Sequence, residues 1–204
     1  MKPTDFLQAQ WSLMVPGSES NKELQNKQFD QLIQAYSEPH RHYHTLQHLQ
    51  QLFDELASLG VQDEAILWSV WYHDIVYQPK KSNNESKSAD IAAQCLQALA
   101  VAPSIIERVH HCILATKHHH TSDPLCQIFL DADMAILGTC AADYQRYTEQ
   151  VALEFQSIPT FLYKRGRKKF LNALLKQQAI FITPQFHDRY ESQARTNIQW
   201  ELAQ

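Results

Sequence analysis

The stretch Trp68-Ser-Val-Trp-Tyr-His-Asp-Ile-Val-Tyr77 decides how the chain is read. Its first half is apolar at helical spacing. Its second half sets two adjacent metal-type ligands, His73 and Asp74, at the helix end. Burying a His-Asp pair in apolar surroundings is costly unless something compensates the charge, and a divalent cation is the simplest compensation. The remaining sequence can then be searched for further ligands and for a substrate.

The totals restrict the search. A chain of 204 residues suffices for one domain with a substantial core. With only 4 Gly and 8 Pro, long irregular loops and repeated tight turns are disfavoured, which points to helices over sheets. The net charge of −4 gives no global attraction to nucleic acid or to a membrane. No apolar run reaches the roughly 20 residues a membrane helix needs, and the N-terminus lacks the layout of a secretion signal. Cys95, Cys112, Cys126 and Cys140 show no CxxC spacing. They are expected to be reduced and mostly buried, hence a cytoplasmic location.

Read in order, the chain alternates apolar periodicity with stops. Residues 5–15 form a short helix broken at Pro16-Gly17-Ser18, and residues 20–36 a second, stopped by Glu38-Pro39. A third covers 45–59, with Gly60 as its cap, and Asp63 caps the helix that ends at the dyad. Residues 78–84 are a polar loop of a size that suits an active-site lid. Helices follow over 85–101, from Pro103 to the 116–120 region, and from Asp123-Pro124 to Gly138. Further helices cover 141–155, 161–175 and 186–202. The expectation is all-α: a single domain over 1–204 with about nine helices and no strand. Its metal-site core would span about 40–140, with the helices of 141–204 packed on it.

His44-x-x-x-His48 places two imidazoles one helical turn apart, on one face. With His73-Asp74 and Asp131-Ala-Asp133 it makes a mixed nitrogen and oxygen ligand set, which suits Mn, Fe, Co, Ni or Zn better than Ca. The Arg167-Lys-Lys169 run has the composition of a solvated basic face, and Arg195 and Asn197 are expected to tie the last helix back. No Gly-rich phosphate loop, Ser nucleophile elbow or HExxH is present.

The ordered set His…His-Asp…Asp on consecutive helices resembles the HD superfamily of metal-dependent phosphohydrolases. Arg41-x-Tyr43-His44-x-x-x-His48, Tyr72-His73-Asp74, Asn84-Glu85-x-x-Ser88-Ala89, Ala115-Thr116-Lys117-x-His119 and Asp133-x-x-Ile-Leu-Gly138 resemble one bacterial subgroup. So do Gly166-Arg167, Ile180-Phe181-x-Thr183 and Glu191-x-x-Ala194-Arg195-x-Asn197. The resemblance implies a compact HD-domain helical bundle that holds one divalent metal ion, from among Mn, Fe, Co, Ni, Zn and Mg. It implies the ligands His48, His73, Asp74 and Asp133, the first chosen over His44 and the last over Asp131 by position relative to the family's helices. Asp74 and Glu85 would serve the reacting water, while Arg41, His44, Lys117, His119 and Tyr77 would contact substrate. Many relatives carry Gly-Lys after the dyad, where this chain has Ile75-Val-Tyr77. Asn84 replaces a further His, which implies one ion and not two.

The function expected from the resemblance is hydrolysis of a small phosphorylated molecule, with a nucleotide as the expected substrate, by metal-activated water. Whether this is phosphatase, pyrophosphohydrolase or phosphodiesterase chemistry is left open. The alternative is a non-catalytic HD module that binds a nucleotide or a partner. A membrane or a specific nucleic acid is not expected as partner, and a homodimer is compatible with the sequence.

Overall fold

In the computed structural model, residues 2–15 and 21–204 are described; the break expected at Pro16-Gly17-Ser18 lies outside them. Ten α-helices and one 3-10 turn make up the described residues, with no strand among them. The all-α expectation therefore holds. The helices are α1 (Pro3–Met14), α2 (Lys22–Ala35), α3 (Leu46–Ser58), α4 (Glu64–Tyr72), α5 (Asn84–Ala98), α6 (Pro103–Ala115) and α7 (Pro124–Met134). The 3-10 turn Ala135–Gly138 leads to α8 (Ala141–Glu154), α9 (Thr160–Lys176) and α10 (Pro184–Leu202).

Local chemistry accounts for the boundaries. The Asp63 carboxylate accepts from the Ile66 amide at 3.1 Å and so caps α4. Asp123 does the same for the Leu125 amide at 2.9 Å ahead of α7. Proline opens α6, α7 and α10, where its missing N–H costs nothing. Gly60 ends the α3 segment with φ of +68°, a left-handed backbone that side chains disfavour.

The chain divides into two compact units, residues 1–129 and 130–204. The division falls inside α7, so no linker composition marks it, and an uninterrupted domain is what the sequence suggests.

In the first unit α4 is the central element, packed against α3, α5 and α6. Seven of its nine residues are buried, so it is apolar on nearly every side. Trp68 and Trp71 meet Trp11 of α1 edge-on, with ring centroids 5.5 and 5.4 Å apart. Phe29 and Phe53 complete this aromatic core at 6.1 and 5.2 Å from Trp71. Such pairs stabilise beyond the area they bury, by about 0.5–1.5 kcal/mol each.

In the second unit, the 3-10 turn and α9 pack on α10. Gly138 is required there: a Cβ on it would stand 2.5 Å from the Tyr190 Cβ and 2.6 Å from the Tyr190 carbonyl oxygen. Arg195 donates to the carbonyls of Leu175, Gln177 and Gln178, and Asn197 to those of Leu137 and Thr139. The last helix is tied back as expected.

Cys112 and Cys126 form a disulfide, with Cα atoms 5.3 Å apart and both residues fully buried. This corrects the expectation of four reduced thiols, and with it the support they lent to a cytoplasmic location. Cys112 lies one turn before the end of α6 and Cys126 in the first turn of α7, so the helical hairpin joins them without any local motif. Cys95 is half-buried and Cys140 exposed. No single helix among the described residues is long and apolar enough to cross a membrane.

Candidate metal centre

His73 is the C-terminal cap of α4 and is 1% exposed; His48, in the first turn of α3, is 2% exposed. Helix packing brings their rings together, with the two Nε2 atoms 3.2 Å apart. Asp74 Oδ2 lies 3.4 Å from His73 Nε2. One ligand atom from each of His48, His73 and Asp74 lies within 4.8 Å of the others. Two nitrogen ligands about 2.1 Å from one ion would stand about 3.0–3.4 Å apart. The observed 3.2 Å falls in that span, so the donor set fits a borderline divalent metal.

Polar contacts set the orientation. His73 Nδ1 is 3.0 Å from the Val70 carbonyl oxygen. A carbonyl only accepts, so Nδ1 carries the proton and Nε2 of neutral His73 presents its lone pair to the cluster. Metal-binding imidazoles are usually held this way. Phe129 packs edge-on against the His73 ring at 5.7 Å, and Tyr43 lies 5.0 Å from the His48 ring. The backbone of Asp74 is held on both sides: its amide donates to the Tyr36 hydroxyl at 3.2 Å, and its carbonyl accepts from Arg41 at 2.7 Å.

Arg41 differs from its expected role. Its side chain is fully buried, lies over the Tyr36 ring at 4.9 Å, and donates also to the Ile75 carbonyl at 3.0 Å and to Glu38 at 3.1 Å. All three guanidinium nitrogens are engaged by the protein. Arg41 clamps the turn after the dyad, and contact with a substrate phosphate finds no geometric support. No local pattern distinguishes a surface Arg from one that folds inward, so this burial is not legible in the sequence.

His44 borders the cluster, with its Nε2 3.8 Å from Asp74 Oδ2. Its ring stacks on Tyr77 at 4.2 Å, and Tyr77 also covers the Arg41 guanidinium at 5.5 Å. Tyr77 is thus a wall built against His44 and Arg41. Lys117 donates to the Ser82 carbonyl at 2.8 Å and so holds the 78–84 loop, whose ends are joined by the Asn84 side chain bonding both backbone groups of Gln78. His119 is half-buried in the turn after α6, with φ of +47°. His111 meets the Thr121 hydroxyl at 2.9 Å and His110 lies 3.5 Å from Asp90; neither belongs to the three-ligand group.

Glu85 sits in the first turn of α5, which is anchored near the dyad by the Val76 amide donating to Ser88 at 3.1 Å. Its Oε2 is buried with no hydrogen-bond partner. A buried acceptor left unpaired is rare and costs about 1–3 kcal/mol, which marks Glu85 as a functional candidate.

The two aspartates of the second unit part company. Asp131 is buried and accepts from the Ile182 amide, the Thr183 amide and the Thr183 hydroxyl at 2.9, 2.6 and 2.6 Å. Burial pushes its pKa up, and these hydrogen bonds pull the other way. It is a structural cap for the start of α10. Asp133 is half-buried in the last turn of α7 and belongs to the second unit, whereas the three grouped ligands all lie in the first.

Arg167 also departs from the solvated face expected of it. It is largely buried, donates to both Glu201 oxygens at 2.8 and 3.1 Å and to the Tyr147 hydroxyl at 3.0 Å. Its guanidinium pKa is raised: burial opposes this, but Tyr147 and Glu201 outweigh it.

No protein-family model, no curated protein and no solved structure matches this chain, so the reading of the centre rests on its own residues and geometry.

Proposed function

We propose that the protein is a metal-dependent phosphohydrolase acting on a small phosphorylated substrate of the nucleotide class. The observation that carries this reading is the convergence of His48 Nε2, His73 Nε2 and the Asp74 carboxylate, with the His73 tautomer set by Val70. His48, His73 and Asp74 would hold one divalent ion, and Asp133 is proposed as a fourth ligand on the HD resemblance alone. When bound, such an ion supplies Lewis acidity toward water and toward a phosphoryl oxygen.

The chain's own groups have separable tasks. Tyr36 and Arg41 hold the Asp74 backbone so that the carboxylate need not reorganise. Glu85 is the proton acceptor for the attacking water, its unpaired buried oxygen being poised for a donor. His44 sits beside Asp74 as a contact for substrate oxygens. His119 is a further such contact by resemblance.

The test is metal analysis after reconstitution with Mn, followed by turnover of a panel of nucleotides and phosphoesters. The expected result is about one ion per chain and hydrolysis that falls at least about 100-fold in His73→Ala. Absence of bound metal, or equal turnover by His73→Ala, would refute the reading. A second reading, ligand binding without turnover, is favoured by the engagement of two expected phosphate contacts, Arg41 and Lys117, with backbone carbonyls. Nucleotide-induced thermal shift without hydrolysis would select it.

A further inference from the structure

The outer side of α9 carries features that the metal centre does not use. From Phe155 to His187 the chain has no acidic residue, yet it holds Lys164, Arg165, Arg167, Lys168, Lys169 and Lys176. Arg167 alone turns inward, to Glu201. Among the described residues the other five form no ion pair, and all are exposed. Arg165 and Lys169 are one helical turn apart and so share a face.

Beside them runs an apolar groove of about 260 Å³. Phe155 and Ile158 come from the end of α8 and the turn after it; Leu162 and Phe170 stand on α9, with Gly166 between them. Leu162 is 46% and Phe170 39% exposed. Phe161, one residue before Leu162, is 71% exposed.

Gly166 supplies an independent observation. Glycine inside a helix is destabilising relative to alanine. A Cβ placed on it would meet nothing within 4 Å, so the protein's own packing does not require its absence. The missing side chain leaves open the space between Leu162 and Phe170, where an approaching chain would need it.

We propose that this groove docks an acidic amphipathic peptide segment of a partner protein. An aliphatic or aromatic anchor would enter over Gly166, and flanking carboxylates would pair with Arg165 and Lys169. The unpaired cations beside an apolar floor set the charge of the occupant. A concave, apolar cleft suits an inserted anchor better than a flat bilayer. Its polar lining is limited to Tyr163 and Arg167, and the Arg167 guanidinium is already taken up by Glu201 and Tyr147, which disfavours reading of a base.

The probe is a fluorescent peptide of about 18 residues with Leu at i, i+3, i+4 and i+7 and Glu elsewhere, compared with its Lys counterpart. The full chain is used. The Glu peptide is expected to bind, to weaken as salt rises, and to bind at least about tenfold more weakly to Gly166→Leu and to the double variant Arg165→Glu, Lys169→Glu. Gly166→Leu fills only open space, so its unchanged helical signal and melting temperature separate lost docking from lost folding. Equal binding of the Lys peptide, or an unaltered affinity in Gly166→Leu, would overturn the proposal. So would binding of phosphatidylserine vesicles or of an oligonucleotide without the Glu peptide. A concentration-dependent dimer abolished by Gly166→Leu would also overturn it, by naming a second copy as the occupant.

Discussion

Replacing Arg41 by Met tests how the dyad is held. The substitution keeps an apolar stem of similar length but removes every donor. Two carbonyls, Asp74 and Ile75, lose charge-assisted bonds of 2.7 and 3.0 Å. Each acceptor left unsatisfied out of water costs about 1–3 kcal/mol. The partner Glu38 is 44% exposed, so that ion pair contributes only about 0–1 kcal/mol. Loss of the cation from over the Tyr36 ring, 4.9 Å away, adds about 0.5–1 kcal/mol. The sum is a loss of about 3–8 kcal/mol, a large share of the about 5–15 kcal/mol of a typical domain. Arg41→Lys can satisfy one carbonyl and is expected to lose roughly half as much. Urea unfolding followed by far-UV circular dichroism measures the loss. In a population that remains folded, titration with Mn should show affinity weakened about 10–100-fold. A stability loss below about 1 kcal/mol with unaltered Mn affinity would refute the clamp.

Four further outcomes are expected, the one for Asp133 resting on the HD resemblance and the others on geometry. Cys112→Ser, which opens a loop with a sequence separation of 14, should lower stability by about 2–4 kcal/mol; a wild-type protein equally stable with and without reductant would refute the pairing. Asp131→Ala removes three short hydrogen bonds at the start of α10 and should cost about 2–4 kcal/mol while leaving Mn affinity intact. Asp133→Ala should do the reverse, and calorimetric Mn titration alongside unfolding distinguishes the two. Iodoacetamide at mildly alkaline pH should label exposed Cys140 first and Cys95 slowly, because burial pushes the Cys95 thiol pKa up and leaves less thiolate; mass spectrometry of tryptic peptides reads the order.

Much of the helical framework was legible in order along the chain. Periodicity, proline and the Asp63 and Asp123 caps place helix ends within a few residues of where they are observed, because those signals act over a single turn. The division at Phe129 was not legible, since it falls inside a continuous helix. The same limit hid the direction of long side chains. Arg41 and Arg167 have the spacing of surface cations, yet both point inward, where Asp74 O and Glu201 respectively receive them.

The sequence by itself determined an all-α chain and the adjacency of His73 and Asp74, because helix periodicity and chain neighbours are local properties. Only the tertiary structure decided that His48 faces His73, that Cys112 meets Cys126, and that Asp131 is used up by the start of α10. Each of those depends on how helices pack across a turn or against one another. Packing sums many weak apolar contacts between distant segments, and no short motif encodes that sum.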